Sequence, residues 1–275
     1  MTPNTLPPAN EHPLALVTGA SRGIGAAIAW RLLEHGADVI VAARGEAGCR
    51  ALAERWRAAH PGATPRALPL ALDITDADAV AGLQDLALAE FGRPITWLVN
   101  NAGTAKTAPL ERTTDEAYRQ ALELGFHAPR RVSEALLPTM MATPTVLRPA
   151  IVNIASSAGL HGYAYCSAYC AAKHALVGYT RSAAVELAPR DVSVHAIAPH
   201  YVDTPMLADS VANVMAKTGQ SEEEARRYFA SQNPGGRLIE PQEVAELTLA
   251  CLQSPPTPDD AVLELDGRAS PSPMP

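Results

Sequence analysis

Short apolar stretches alternate with longer amphipathic ones along almost the whole chain. Residues 14–18, 38–43, 66–71, 95–100, 150–155, 192–198 and 262–265 are runs dominated by Leu, Ile, Val and Ala. They are too short for helices and too uniformly apolar for strands with one wet face, so each reads as a strand buried on both sides. The segments between them repeat their apolar positions every three or four residues and have recognisable ends: 26–35 stops at Gly36, and Thr75-Asp76 opens a helix over 77–91 that stops at Gly92. Strands interleaved with helices predict an α/β fold, a doubly wound parallel sheet of seven strands with helices on both faces. Pro69 makes 66–71 the weakest of the strand patterns.

The Pro-rich ends, 1–12 and 269–275, offer little to bury and read as tails, which leaves a single domain over 13–268. After the sixth strand two further helical patterns, 207–218 and 221–232, form an expected lid at 206–236; the second opens with Ser221 and Glu224 spaced as a capping box.

Composition narrows the function. With 47% hydrophobic and 19% charged residues the chain is not intrinsically disordered, and with only 5% aromatics its core must be built from small aliphatic side chains. A net charge of -7 and a pI near 5.6 give no field that would hold nucleic acid or anionic lipid. No run approaches the ~18 apolar residues of a membrane span, and residues 1–11 lack a basic, then apolar, leader. A cytoplasmic protein with no nucleic-acid or membrane partner is expected. Cys49, Cys166, Cys170 and Cys251 form no paired motif. Cys166 and Cys170 are a helical turn apart with nothing to complete a zinc set, so reduced thiols and no metal site are expected.

Three patterns carry chemistry. Thr18-Gly19-Ala20-Ser21-Arg22-Gly23-Ile24-Gly25 lies where the first strand meets the first helix. Glycines there let the backbone tighten and let N–H groups approach a pyrophosphate at a helix N-terminus. Asn100-Asn101-Ala102-Gly103 follows the fourth strand, at the carboxyl edge where open α/β sheets bind ligands. Ser156 ends the fifth strand, Tyr169 lies thirteen positions on, and Lys173 follows one helical turn later. That last spacing puts the phenol and the ammonium on one helix face. A free phenol titrates near pH 10, and lowering it by about three units takes roughly 4 kcal/mol, within what an ammonium and a bound nicotinamide cation could jointly supply.

In this order, together with Asp73 in Leu72-Asp73-Ile74-Thr75, Ile151-Val152-Asn153-Ile154 before the serine, and Pro199 followed by Val202-Asp203-Thr204-Pro205-Met206, these residues resemble the short-chain dehydrogenase/reductase family. The resemblance implies a Rossmann-like sheet and NAD(P)-dependent interconversion of a carbonyl and an alcohol. By that resemblance Tyr169 exchanges a proton with the substrate oxygen, Ser156 orients that oxygen, and Lys173 holds the nicotinamide ribose and depresses the phenol. Gly19, Ser21, Arg22, Gly23, Ile24 and Gly25 would line the pyrophosphate and adenosine side, with Ala102 and Gly103 beside them. Asp73 would meet the adenine, Asn100 the adenosine ribose, and Val202 and Thr204 the nicotinamide amide. A homotetramer or homodimer built on helices near 111–140 and 168–188 is also implied.

Cofactor choice can be read from the second strand. An NAD site wants a carboxylate at its end to bond the ribose hydroxyls. This strand ends Val41-Ala42-Ala43-Arg44, while Asp38 opens it at the wrong edge of the sheet. With no acid in the way and Arg22 and Arg44 available for a 2′-phosphate, NADP(H) is expected and NAD(H) is the less favoured alternative.

Three positions depart from the family pattern. Gly125 replaces a usual Asn that holds a relay water, so restoring it by Gly125→Asn is expected to maintain or raise the rate. His200 replaces a Gly and reads either as an exposed loop histidine or as a pocket residue, and His195 replaces an Asn with a structural role. His161, Tyr163, His200 and Met206 are the candidates for the substrate pocket. The expected function is NADPH-dependent reduction of a small or medium ketone such as a ketoacyl, ketosteroid or cyclic ketone. The alternatives are an alcohol or hydroxyacyl dehydrogenase working oxidatively and a non-catalytic cofactor-binding sensor.

Overall fold

All seven apolar runs become strands: β1 (Leu14–Thr18), β2 (Asp38–Ala43), β3 (Ala67–Ala71), β4 (Trp97–Asn100), β5 (Ala150–Ile154), β6 (Ser193–Pro199) and β7 (Val262–Leu265). They are seen in a computed structural model that describes residues 12–62, 65–142 and 148–268. Every pairing is parallel, and the order across the sheet is β3-β2-β1-β4-β5-β6-β7. The winding therefore reverses between β1 and β4, and the crevice at their carboxyl ends is where a ligand of such a sheet sits. The ends read as tails lie outside the described residues, His12 apart.

The helices are α1 (Gly23–Glu34), α2 (Glu46–Ala59), α3 (Ala77–Ala81), α4 (Leu83–Phe91), α5 (Asp115–Leu122), α6 (Ala128–Ala142), α7 (Ser167–Leu187), α8 (Pro205–Thr218), α9 (Glu222–Ser231) and α10 (Pro241–Gln253). Alternate residues of each strand point to opposite faces, and both faces are dry. Val17, Val41, Val99 and Val152 meet Ile28 and Leu32 of α1 and Val244 and Leu249 of α10. Leu16, Ile40, Leu98 and Ile151 meet Leu83 of α4, Val132 and Leu136 of α6 and Ala184 and Leu187 of α7. No described helix is long and apolar enough to cross a membrane.

Two expectations shift. The first helix begins at Gly23, not residue 26, because the glycine turn runs directly into its first turn. The helix expected over 77–91 is split into α3 and α4 at Gly82, a residue with the conformational freedom to leave a helix. Pro69 is accommodated because β3 is the sheet edge.

Asp38 is indeed at the amino edge, away from the crevice. Its carboxylate accepts the Arg66 backbone N–H and pairs with Arg93 at 2.7 Å, and it is only 7% exposed. It ties the start of β2 to the lead into β3 and to the turn before β4. Asp38→Ala should leave the Arg93 guanidinium half-buried and unpaired and lower the unfolding free energy by about 2–3 kcal/mol in urea titrations.

Candidate active site

The glycine turn is tight because its backbone is packed on the neighbouring loop. A Cβ on Gly25 would lie 2.4 Å from the Gly19 carbonyl oxygen and 2.4 Å from Asn101 Nδ2, and Gly19 itself has a φ of +66°. Asn101 holds this arrangement. Its backbone N–H donates to Thr18 Oγ1 (3.0 Å), and its side-chain amide donates to the carbonyls of Thr18 (3.0 Å) and Gly19 (3.1 Å). Neither Asn101 nor Thr18 was singled out from sequence, although the doubled asparagine was the available signal. The first turn of α1 has no side-chain cap and no acidic residue. Its N–H groups and dipole thus face the crevice free to receive an anion, which fits the pyrophosphate of a dinucleotide.

Asn100 corrects an expectation. Its side chain turns into the core, where Nδ2 meets the Pro129 carbonyl (3.3 Å), Ser133 Oγ (3.0 Å) and Asn153 Oδ1 (2.9 Å), and it is 2% exposed. Any contribution to a ribose must come from its main chain.

On the far side of the crevice the serine, tyrosine and lysine converge. Ser156 directly follows β5; its hydroxyl accepts the Ala158 N–H at 3.1 Å and is hydrogen-bonded to the Tyr169 phenol. Lys173, one turn along α7, is buried and donates from Nζ to the Ile154 carbonyl at 2.8 Å. Its ammonium stands 5.8 Å from the Tyr169 ring centroid, and a Cβ on Gly103 would lie 4.0 Å from it. The predicted depression of the phenol by Lys173 is not what the chain alone shows. Burial pushes Tyr169 up to about 12, partly offset by the Ser156 hydrogen bond and reinforced by the neighbouring Cys166 and Cys170 thiols. Burial likewise pushes Lys173 down to about 8. Desolvation outweighs attraction here because the amine is committed to the Ile154 carbonyl.

Gly125 lies in a π-helical turn, Glu123–His127, that joins α5 to α6. Such turns displace backbone carbonyls from the regular ladder. The glycine is buried against α7, and a Cβ there would lie 3.0 Å from the Ala172 Cβ.

At the adenosine end Arg22 and Arg44 are exposed, and neither forms an ion pair among the described residues. Glu46, the first acid after β2, is turned onto Arg50 at 2.7 Å. Asp73 accepts from the Thr75 hydroxyl (2.7 Å) and N–H (2.9 Å), which hold it below the usual carboxylate range, with Arg44 adding to the effect. Thr204 caps α8 through the Leu207 N–H at 3.3 Å, and its Cβ would be 3.6 Å from a Cβ on Gly23, so the starts of α1 and α8 meet. Val202 bridges to Ile239.

The candidate substrate residues lie among aromatic rings. Tyr163 donates to Ser157 Oγ at 2.9 Å, its ring meets Tyr201 edge-on at 6.4 Å, and Tyr201 lies 5.1 Å from Phe229 of α9. Met206, at the start of α8, is exposed. The two helices expected within 206–236 are present as α8 and α9, with the Ser221–Glu224 capping box formed, and Arg226 of α9 pairs with Asp203. His200 is not the exposed loop histidine: its side chain is 6% exposed and bonds Glu264, as does His161. His195 is structural, held between Ser193 and Thr257.

A glycine turn at the switch point of a parallel sheet, facing a half-buried Ser and Tyr and a buried Lys, defines a dinucleotide-dependent oxidoreductase site. The short chain dehydrogenase family model matches residues 13–214, and the chain belongs to that family. It is 40% identical over 235 residues to the cis-4-hydroxycyclohexanecarboxylate dehydrogenase of Sinomonas cyclohexanicum, covering 85% of this chain and 86% of that one. It is 35% identical over 239 residues to a putative ketoacyl reductase of Streptomyces coelicolor, covering 86% and 88%. Among solved structures it is similar to an actinorhodin polyketide ketoreductase variant with NADPH, at a TM-score of 0.81 and 31% identity over 93% of this chain and 96% of that one. The protein is an oxidoreductase acting on CH–OH and C=O groups of small molecules.

Two outcomes follow from this geometry. The unfolded chain keeps the Lys173 proton up to pH 10.5 and the folded chain releases it near 8, so the folded state is penalised below pH 8 and gains stability as pH rises through that window, by ~3 kcal/mol. Urea unfolding of wild type and Lys173→Met should therefore differ in slope between pH 8 and 10; parallel curves would contradict the burial of a charged amine. The packing also reverses the expectation for Gly125→Asn. Its Cβ would press on Ala172, the neighbour of Lys173, so kcat should fall severalfold, and a rate at or above wild type would show that α7 yields there.

Proposed function

We propose that the protein is an NADPH-dependent carbonyl reductase for a small or medium ketone, cyclic or ketoacyl in type. The observation that carries this reading is the half-buried Tyr169 phenol, hydrogen-bonded to Ser156 and one helical turn from Lys173, with desolvation pushing it up to about 12 and so favouring its protonated form. A protonated phenol beside a substrate oxygen is a proton donor, which is what reduction requires.

When bound, the nicotinamide cofactor supplies the hydride. Ser156 hydrogen-bonds the carbonyl oxygen and fixes its position. Tyr169 gives that oxygen its proton as negative charge develops there, and Lys173, cationic below about pH 8, stabilises the phenolate left behind. Arg22 and Arg44 receive the 2′-phosphate, while the Thr18–Asn101 contacts keep the glycine turn in shape for the pyrophosphate. Tyr163, Tyr201, Phe229 and Met206 form an apolar and aromatic wall, suited to a ring or short acyl chain. The oxidative direction is the second reading, and the dehydrogenase relative favours it. The family resemblance supports a homodimer or homotetramer through the outer faces of α5, α6 and α7, where Val185 is 63% exposed. It equally supports a cytoplasmic location.

A carbonyl panel run with NADPH and with NADH, on wild type and Tyr169→Phe, tests the proposal. NADPH should be preferred at least tenfold, or ~1.4 kcal/mol, and Arg44→Ala should erase most of that preference. Tyr169→Phe should lose turnover by several orders of magnitude while still binding NADPH. Tenfold preference for NADH would reject the cofactor assignment, and turnover surviving in Tyr169→Phe would reject the proton donor.

A further inference from the structure

Beyond the reducing site, the carboxyl edge of β6 and β7 gathers two imidazoles and a carboxylate from three separate segments. His200 Nε2 lies 2.7 Å from Glu264 Oε1, and His161 Nε2 lies 3.1 Å from the same oxygen. One ligand atom from each residue falls within 4.8 Å of the others. Ligand atoms around tetrahedral zinc, at 2.0–2.1 Å from the ion, stand roughly 3.3 Å apart, so the two histidine–glutamate pairs would open by roughly 0.2–0.6 Å and the two imidazole nitrogens, within 4.8 Å of each other, would close by up to ~1.5 Å.

We propose that His161, His200 and Glu264 bind a divalent transition-metal cation of the zinc class. The donor set argues for that class: two imidazoles with one carboxylate suit Zn²⁺, whereas Mg²⁺ and Ca²⁺ prefer all-oxygen shells. The His200 side chain is 6% exposed and its Nδ1 is buried without a partner, so the proton that Nε2 now shares with Glu264 would pass to Nδ1 when an ion takes its place. His161 is more than half exposed and Glu264 about a third, which gives the ion a way in. Three protein ligands leave a fourth position for water.

The ion would fasten the loop after β5, which carries Ser156, to the loop after β6, which leads to Val202 and Thr204, and both to β7. It is a staple behind the substrate wall and is independent of the cofactor and direction of the reaction. The expectation of no metal looked for paired cysteines. These ligands are 64 and 103 positions apart in the pairs that meet at Glu264, so only the fold brings them together.

The test uses the full chain without a histidine tag, stripped with chelator and titrated with Co²⁺. One equivalent should bind with the visible absorption of four- or five-coordinate cobalt, Zn²⁺ should displace it, and acidification should weaken binding, since only neutral imidazole ligates a metal. Glu264→Gln and His161→Asn, each with wild-type thermal unfolding in chelator, should weaken binding at least tenfold. His161→Asn, at the most exposed ligand, keeps the test open if the other variant misfolds. Three results would overturn the site: only the faint spectrum of hydrated cobalt, an intense near-ultraviolet band marking thiolate ligation by Cys166 or Cys170, or binding unchanged in both variants.

Discussion

A cationic amine held 5% exposed is the constraint around which the rest is arranged. Lys173 can stay buried only because the last carbonyl of β5 accepts its proton at 2.8 Å, and that requires α7 to press directly on the end of the strand. The close approach is visible at Gly159, where a Cβ would lie 2.8 Å from the Lys173 carbonyl oxygen. Beneath this layer Asn100 donates to Asn153, Asn153 to Thr180, and Thr180 to the Leu176 carbonyl, each at 2.8–2.9 Å. These bonds join β4, β5 and α7. A buried polar group left unpaired costs about 1–3 kcal/mol, so these three bonds favour one relative placement of the three elements, although Asn100 Oδ1 itself has no partner. Ser156, Tyr169 and Lys173 inherit their geometry from it.

The wall opposite is held less deeply. Asn233 donates to the carbonyls of Tyr201 (2.9 Å) and Arg237 (2.7 Å) and accepts the Tyr201 N–H, fixing the loop after β6 where it leaves the sheet. Beyond it α8 and α9 share their own small cluster, Leu207, Val211, Ala225 and Phe229, apart from the two main cores. An element with its own minor core and a partly exposed Asp203–Arg226 latch can move at smaller cost than one packed into the sheet. The site thus combines a deeply packed Ser156, Tyr169 and Lys173 edge with α8 and α9, which rest on a smaller core of their own.

Most of the architecture was legible in the sequence because it is written locally. Buried parallel strands are short apolar runs whatever lies beside them, and a glycine turn, a capping box or a Tyr and Lys one turn apart can be seen without knowing the fold. Features that depend on partners distant in the chain were not legible. Asn100 and Asn101 are adjacent and chemically identical, yet strand alternation sends one into the core and leaves the other to brace the glycine turn. Gly125 drew attention as a missing asparagine, but the π-turn around it and its contact with Ala172 come from α7 packing. His200 is polar in a loop, the usual mark of exposure; Glu264 on an edge strand is what buries it.

The work asked of the site in either direction turns on the cost of making a phenolate. With Tyr169 raised to about 12, ionising it at pH 7 in the chain alone would take on the order of 7 kcal/mol. An oxidative catalyst must meet that demand before each turnover, because it needs the phenolate as a base. Lys173 cannot meet it alone: its amine is engaged by the Ile154 carbonyl and is itself weakened as a cation by burial. A reductive catalyst begins with the proton already on the phenol, and the charge appears only as the substrate oxygen takes it. The environment of Tyr169 therefore favours the protonated phenol in the chain alone. A further positive charge beside the ring would be needed before the same residue served oxidation equally well.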